Sequence, residues 1–402
     1  MRRHPEPGHS VSKSLFLLVA PALSLTFAQS AFILHIEQLQ LTNFKNYEQQ
    51  TITCSPHVNC FVGLNGMGKT NLLDAVYYLC MTRSHTGLTD ANVVRHGADF
   101  FRLEAMIQKN EKRDKVVAKV VPRKKKEFEK NEVLYPRLAD HIGAYPVVII
   151  APNDTNIILE SSEVRRRFLD NTLSQLDPIY LYSLLSYNKI LEQRNALLKQ
   201  FAERRSFNQQ LLATYDAQLL DPAQYLCDKR QDFVQSFCKI LQKMYELISL
   251  HRESVDCRYE SRLLETNYEQ LLKENVEKDR ALQRTTTGIH KDDLQLKING
   301  YPARQFASQG QLKSLVLSLK LAQYDILRRE KKMQPLLLLD DIFDKLDKTR
   351  VSQLLALLLE QSFGQIFITD TDEHRVTEII THLNSPFLQF YIENGKVGKG
   401  EL

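Results

Sequence analysis

At 402 residues with 43% hydrophobic content, the chain is long enough for about two to three domains and a sizeable core. A formal net charge of +5 is mildly basic; it suits nucleic acid or an anionic membrane surface without choosing between them, so local clusters must decide. The six cysteines include no C-x-x-C pair and no histidine at ligand spacing, which argues against a disulfide framework or a zinc module and for reduced, mostly buried thiols in a cytoplasmic protein.

Residues 1–31 open with Arg2 and Arg3, continue as an apolar run from Leu15, and end on small residues at Ala28 and Ser30, the outline of a secretory signal. That outline conflicts with a reducing cytosol, and a start-site artefact resolves it: Leu34 opens a regular alternating strand and is the expected N-terminus, with residues 1–33 an extension. No later stretch reaches the ~18 apolar residues needed to span a bilayer. The pattern then predicts strands over His35–Leu41, Gln50–Cys54, Asn59–Val62, Phe101–Ile107, Lys115–Val121 and Val147–Ile150, interrupted by a helix after Thr70. Between Glu163 and about Asp279 apolar residues recur at helical spacing, with breaks expected at Pro178, at Pro222 and across Arg204–Asn208. After Gly288 come a strand over Leu294–Ile298, a helix over Ser308–Arg328, an apolar strand from Leu336, a helix over Lys348–Gln361, and strands over Gln365–Thr369 and Gln389–Glu393. One α/β head, residues 34–160 and 285–402, is therefore split by a helical lobe over 161–284. No heptad is sustained across that insertion and prolines interrupt it, so a compact lobe is expected rather than a long coiled coil.

The residues Gly63, Leu64, Asn65, Gly66, Met67, Gly68, Lys69 and Thr70 fit the G-x-x-x-x-G-K-[ST] phosphate-loop pattern, between an apolar strand and a helix opening at Asn71. The glycines let successive N–H groups and the helix N-terminus face a β-phosphate. Lys69 reaches the β- and γ-phosphates of ATP, and the Thr70 hydroxyl ligates Mg²⁺. Four leucines, Leu336 to Leu339, followed by Asp340 and Asp341, read as a buried parallel strand ending at the nucleotide crevice. Asp340 is the expected Mg²⁺ partner and Asp341 the general base or water-orienting carboxylate.

Ser308, Gly310 and Gln311, at the head of an amphipathic helix, resemble the signature motif of ABC-type ATPases, with Gln309 in place of the usual first glycine. The resemblance implies that Ser308 and the Gly310 N–H cap the γ-phosphate held by another subunit's loop, so that Lys69, Ser308 and Asp341 form one composite catalytic site. The stretches His35–Tyr47, the phosphate loop, Glu163–Asp170, Tyr187–Asn195, Gly288–Asp293, the signature and the acidic strand, in this order over residues 35–395, together resemble the bacterial RecF family of DNA-repair ATPases. What that resemblance implies is an α/β fold, a P-loop NTPase of the ABC-ATPase type (SMC/Rad50 head-like) with an inserted compact helical lobe. It further implies a cytoplasmic ATPase of slow turnover that forms an ATP-dependent homodimer, binds duplex and gapped DNA, and works with RecO and RecR to load RecA at single-strand gaps in the SOS response. Asp344–Asp347 matches the family's subunit-interface loop. Two departures stand out. Asp341 replaces the glutamate common in ABC-type ATPases, which implies slow hydrolysis, and the usual switch histidine has no counterpart, leaving Thr369 or Asp370 as γ-phosphate sensor. Asn153 and Asp154 are candidates for the loop joining nucleotide to helical lobe, or for a plain cap or turn.

Basic residues cluster at Lys112, Arg113 and Lys115, at Arg123, Lys124, Lys125 and Lys126, at Arg165, Arg166 and Arg167, and at Arg204 and Arg205. Phosphate contacts require only positive charge on one surface, so sequence-independent DNA binding is expected, with Arg123–Lys126 at a hairpin tip. Arg165–Arg167 adjoin the apolar Phe168 and Leu169 and have a competing use as internal ion-pair partners. Two other readings remain at this level: the ATPase subunit of a transporter, disfavoured by the long separation of phosphate loop and signature, and a DNA-binding scaffold in which ATP is structural.

Overall fold

The computed structural model describes residues 34–249, 253–342, 355, 358, 363–382 and 385–399. The signal-like extension and the Asp344–Asp347 loop lie outside these residues, as does the helix expected over Lys348–Gln361 except for Leu355 and Leu358, which are helical and buried. The chain runs through β1 (Leu34–Phe44), β2 (Tyr47–Thr53), β3 (Val58–Val62), α1 (Lys69–Met81) and a short α2 (Asp90–Val93). It returns as β4 (Phe101–Lys109), β5 (Lys112–Val120), β6 (Glu127–Lys130), β7 (Val133–Leu134) and β8 (Val147–Ile150). The helical stretch is α3 (Asn156–Leu159), α4 (Ser162–Leu176), α5 (Pro178–Glu203) and α6 (Gln209–Ser249), then β9 (Val255–Glu260), α7 (Tyr268–Glu274) and α8 (Val276–Leu282). Last come β10 (Asp293–Ile298), β11 (Tyr301–Pro302), α9 (Ala303–Phe306), α10 (Gln309–Lys331), β12 (Leu336–Leu339), β13 (Ile366–Asp370), α11 (Arg375–His382), β14 (Phe387–Glu393) and β15 (Lys396–Lys399).

Three sheets result among the described residues. The central one has the order β15-β14-β3-β13-β12-β8 and is parallel throughout except for β15. Strands β3, β8 and β12 are buried along their whole length, as a parallel strand covered on both faces must be. Side-chain alternation divides this sheet between two cores. Phe61, Ile149, Leu336, Leu338 and Phe367 join one that includes α1 and the antiparallel sheet β2-β1-β4-β5-β6-β7, while Cys60, Ile150, Leu337, Leu339 and Ile368 join one shared with α10 and the helical lobe.

The lobe is compact: α6 packs along its length against α5, α10 and β9. Pro178 sits at the first turn of α5, behind the N-cap Asp177, where its missing N–H costs nothing. Pro222 does not break the chain as expected. It lies inside the 41-residue α6, carried through by its buried neighbours Leu219, Ala223, Leu226 and Cys227. Strand β9 falls in a stretch read as helical, and it pairs with β10 from Val255–Ile298 to Glu260–Asp293, across the expected boundary at 284/285. The third sheet, β11-β10-β9, thus ties the lobe to the returning half of the head.

The matched stretches around Asp170, Tyr187 and His290 meet where the lobe joins the returning half of the head. The buried Arg230 donates to Tyr180 Oη (2.9 Å), the Ile289 carbonyl (2.9 Å), Asp170 (2.8 Å) and Asp292 (3.3 Å). Arg194 donates to Asp216 (2.5 Å), Asp279 (2.7 Å) and Thr285 (2.8 Å), and the Tyr187 hydroxyl meets His290 Nδ1 at 2.7 Å. These residues hold the lobe together. Removing one member would strand a buried charge at a cost of about 3–5 kcal/mol.

Candidate nucleotide site

Strands β3, β12 and β13 all end at one edge of the central sheet, the place where open parallel sheets bind nucleotides. β3 delivers the phosphate loop, β12 delivers Asp340 and Asp341, and β13 delivers Thr369 and Asp370. The loop needs glycine at two places in particular. Gly63 has φ +147° and a Cβ there would stand 2.4 Å from the Ile392 carbonyl oxygen; Gly68 has φ +115° and a Cβ would run into Asn46 and Tyr47.

The buried Lys69 curls back over the loop, its Nζ donating to the carbonyls of Gly63 (2.8 Å) and Leu64 (3.1 Å). Thr70 Oγ1 donates to Asp340 Oδ1 at 2.8 Å. Thr369 Oγ1 also donates to Asp340 Oδ1, at 2.9 Å, and accepts the Asp341 N–H at 2.8 Å. One hydroxyl thereby fixes both carboxylate-bearing residues, and Asp341 is held at φ +42°. Burial raises the Asp340 pKa, opposed by the two threonine hydroxyls and Lys69. A hydroxyl and a carboxylate side by side are the hard oxygen donors that Mg²⁺ prefers, so Thr70 and Asp340 fit that ion. Asp370 is committed elsewhere: Arg375 contacts it at 2.6 and 3.1 Å, and it accepts the Asp372 N–H. Of the two proposed sensors, Thr369 is bonded to both members of the acidic pair.

Sequence reading missed the residues that brace the loop from outside. Asn46 Nδ2 donates to the Met67 carbonyl (3.0 Å) and its Oδ1 accepts from Asn71 Nδ2 (2.7 Å); Tyr47 donates to the Gly68 carbonyl (3.0 Å), and the Gly395 N–H to that of Met67 (3.1 Å). The available signal was the position of Asn46 and Tyr47 at the end of the first matched stretch, in and just after the β1–β2 turn. Lys45, next to them, pairs with the buried Asp74 at 2.7 Å, and Asp74 also accepts from Ser84 Oγ and the His85 N–H. Burial pushes the His85 imidazole down to about 4.

Ser308 and Gly310 lie at the start of α10, away from these contacts. Ser308 is exposed and N-caps the helix in a reciprocal box with Gln311. Among the described residues no hydrogen bond joins Ser308, Gly310 or Gln311 to the phosphate loop. The same helix is linked to the crevice through Lys320, which pairs with the buried Asp154 at 2.8 Å just beyond β8, so Asp154 connects the central sheet to the signature helix.

The basic clusters separate. Arg123, Lys124 and Lys125 are exposed in the turn between β5 and β6, the hairpin tip expected, and Arg204 and Arg205 are exposed between α5 and α6. Lys126 is engaged by Asp90 (3.0 Å) and the Thr82 carbonyl (3.0 Å); Arg113 pairs with Glu37 and Lys115 with Glu104. Arg165 takes the competing internal use: it is buried and clasps Asp293 with two bonds of 2.6 and 2.9 Å while reaching the Glu160 carbonyl. Arg166 is half-buried, donating to the Asp292 carbonyl (2.6 Å) and Ser162 Oγ (2.8 Å).

A family model for the RecF/RecN/SMC N terminal domain matches residues 35–386. A "DNA replication and repair protein RecF" of Flavobacterium johnsoniae is 41% identical over 357 residues, covering 89% of this chain and 99% of its own length. The chain belongs to the RecF family. The RecF of Cytophaga hutchinsonii is 40% identical over 364 residues, 90% of this chain and 96% of that one. A solved structure of the recombination mediator protein RecF with ATP in the RecFOR pathway is 27% identical and superposes with a TM-score of 0.84 over 93% of this chain and 100% of that chain. An SMC head domain from Pyrococcus furiosus, 16% identical with a TM-score of 0.53 over 92% of this chain and 96% of that chain, shares the fold alone. As a RecF-family member with an intact phosphate loop, the chain is an ATP-binding ATPase of the SMC type.

Proposed function

We propose that this chain is a nucleotide-gated DNA clamp of recombinational repair and replication maintenance. ATP sits on the phosphate loop, two copies close on each other's nucleotide, and the closed pair holds duplex or gapped DNA without regard to sequence. One observation carries the reading: Lys69, Thr70, Asp340, Asp341 and Thr369 converge at one sheet edge, while Ser308 and Gly310 are held at the head of α10, against the helical lobe, with their helix N-terminus towards solvent. A second copy supplies what each site lacks.

Lys69 leaves the loop carbonyls for the β- and γ-phosphate oxygens. Thr70 and Asp340 would hold Mg²⁺, which would offset the charge on those oxygens. Asp341 accepts a proton from the attacking water, and Thr369 keeps that carboxylate-bearing backbone in register. The Ser308 hydroxyl and the Gly310 N–H of the other copy complete the γ-phosphate shell, where donors aimed at developing charge act most strongly. The short Asp341 side chain stands farther from the water than a glutamate would, which makes hydrolysis slow and the clamp long-lived. Arg123, Lys124 and Lys125 provide phosphate contacts. RecR and RecO are the proposed partners in delivering RecA to single-strand gaps, in the cytoplasm and within the SOS response.

Sedimentation of the full chain with and without ATP and gapped duplex tests this. Wild type should dimerise with ATP, Lys69→Met and Ser308→Arg should remain monomeric, and Asp341→Asn should give a DNA-bound dimer that outlives the wild-type one. A monomer under all conditions would return the chain to an ordinary single-site NTPase, and unaltered DNA release by Asp341→Asn would favour a scaffold in which turnover is incidental.

A further inference from the structure

Glu253 stands between the end of α6 at Ser249 and the start of β9 at Val255, and the residue after it, Ser254, is pinned. The Ser254 N–H donates to Asn299 Oδ1 at 2.9 Å and the Asn299 N–H returns a bond of 2.9 Å to the Ser254 carbonyl. Asn299 and Gly300, at φ +49° and +82°, make the two-residue turn from β10 to β11, and β11 leads through α9 directly to Ser308. The small three-stranded sheet therefore fixes Glu253 and the signature relative to each other.

The side chains close the frame. Glu253 Oε1 accepts from Gln311 Nε2 (2.6 Å) and its Oε2 from the hydroxyl of the buried Tyr245 on α6 (2.7 Å). Gln311 Oε1 accepts the Ser308 N–H (2.7 Å), and the Gln311 N–H donates to Ser308 Oγ (3.3 Å). A carboxylate can only accept and a backbone N–H can only donate, so the Gln311 amide has a single orientation that satisfies both. Gln309 and Gly310 are the first two helical residues, whose N–H groups find no carbonyl within their own helix.

We infer that Glu253 is a positioning residue for the signature: acting through Gln311, it locks the first turn of α10 so that Ser308 and the Gln309 and Gly310 N–H groups present themselves to a γ-phosphate on a second copy of the chain. The inference rests on the split-site reading above. It adds a residue that lies far from the signature in sequence and touches no nucleotide, and it makes α6, through Tyr245, part of the signature's support.

The test is two-colour mixing of full-length variants, with nucleotide affinity of the dilute monomer measured alongside. Glu253→Ala should bind ATP within twofold of wild type, because its own phosphate loop is untouched, yet need at least tenfold more protein to dimerise. Glu253→Gln, which keeps an acceptor for Gln311, should stay within threefold. Mixed with Lys69→Met, Glu253→Ala should pair again, since that partner brings an intact signature to an intact loop; mixed with Ser308→Arg it should not. Absence of rescue by Lys69→Met would make the defect one of folding and overturn the inference. So would wild-type dimerisation by Glu253→Ala in conditions where Ser308→Arg fails, and that result would leave the split site standing. Dimerisation by Ser308→Arg itself would remove the split site and the positioning role together.

Discussion

Thr369 makes two bonds with one hydroxyl, donating to Asp340 Oδ1 and accepting the Asp341 N–H. Valine has the same shape and can make neither bond. Hydrogen bonds to charged groups are worth about 1.5–3 kcal/mol, so Thr369→Val should slow single-turnover ATP hydrolysis by about ten- to a hundredfold while Thr369→Ser stays near wild type. An unchanged rate in Thr369→Val would remove Thr369 from the site. The residue-scale contrast is with Arg165 and Asp370, which are charged and stand in suggestive places in the sequence. Each is spent on an internal partner, Asp293 and Arg375 respectively.

At the scale of elements, α6 is the member whose local sequence argues against its structure. A proline inside a helix removes one hydrogen bond and crowds the carbonyl four residues earlier, a penalty of about 3 kcal/mol, and here the apolar stripe of Leu219, Ala223, Leu226 and Cys227 overrides it. Pro222→Ala should therefore raise stability by about 1–3 kcal/mol in urea titration, the lower figure allowing for the greater freedom alanine gives the unfolded chain. A drop in stability would mean that α6 depends on the proline for its path. The strand β9 shows the opposite failure of local reading. Val255, Cys257 and Tyr259 alternate as a strand should, but six residues between two helical runs are too few to outweigh the surrounding pattern.

Among the described residues three deeply placed imidazoles, His85, His141 and His290, are each held down to about 4 by burial. A histidine with a native pKa below its ordinary 6.5 binds fewer protons folded than unfolded, so its contribution is full above 6.5 and is lost as pH falls towards 4. Asp292 works the other way. Burial lifts it to about 6 from 3.8, so the folded state takes up the proton first and gains stability as pH falls through 6. For these four groups the balance is a net loss, and their share of the stability should drop by about 4 kcal/mol between pH 7 and pH 5. Urea midpoints at the two pH values measure it; equal midpoints would mean that the imidazoles are protonated in the native state.

The sequence by itself determined the phosphate loop, the leucine strand with its two aspartates, the serine at the head of α10 and the order in which they occur, because each is a local arrangement of a few adjacent residues. It also determined the split head, since a change of hydrophobic period from two to about 3.6 is visible along the chain. Only the tertiary structure decided which charges were available. Arg165 and Arg123 look alike in a string of letters, and burial next to Asp293 separates them from each other. Only the tertiary structure brought Asn46 and Tyr47 to the phosphate loop, Thr369 to Asp340, and Glu253 to Gln311. Those pairings depend on strand order and on the close approach of distant segments, which no local pattern encodes.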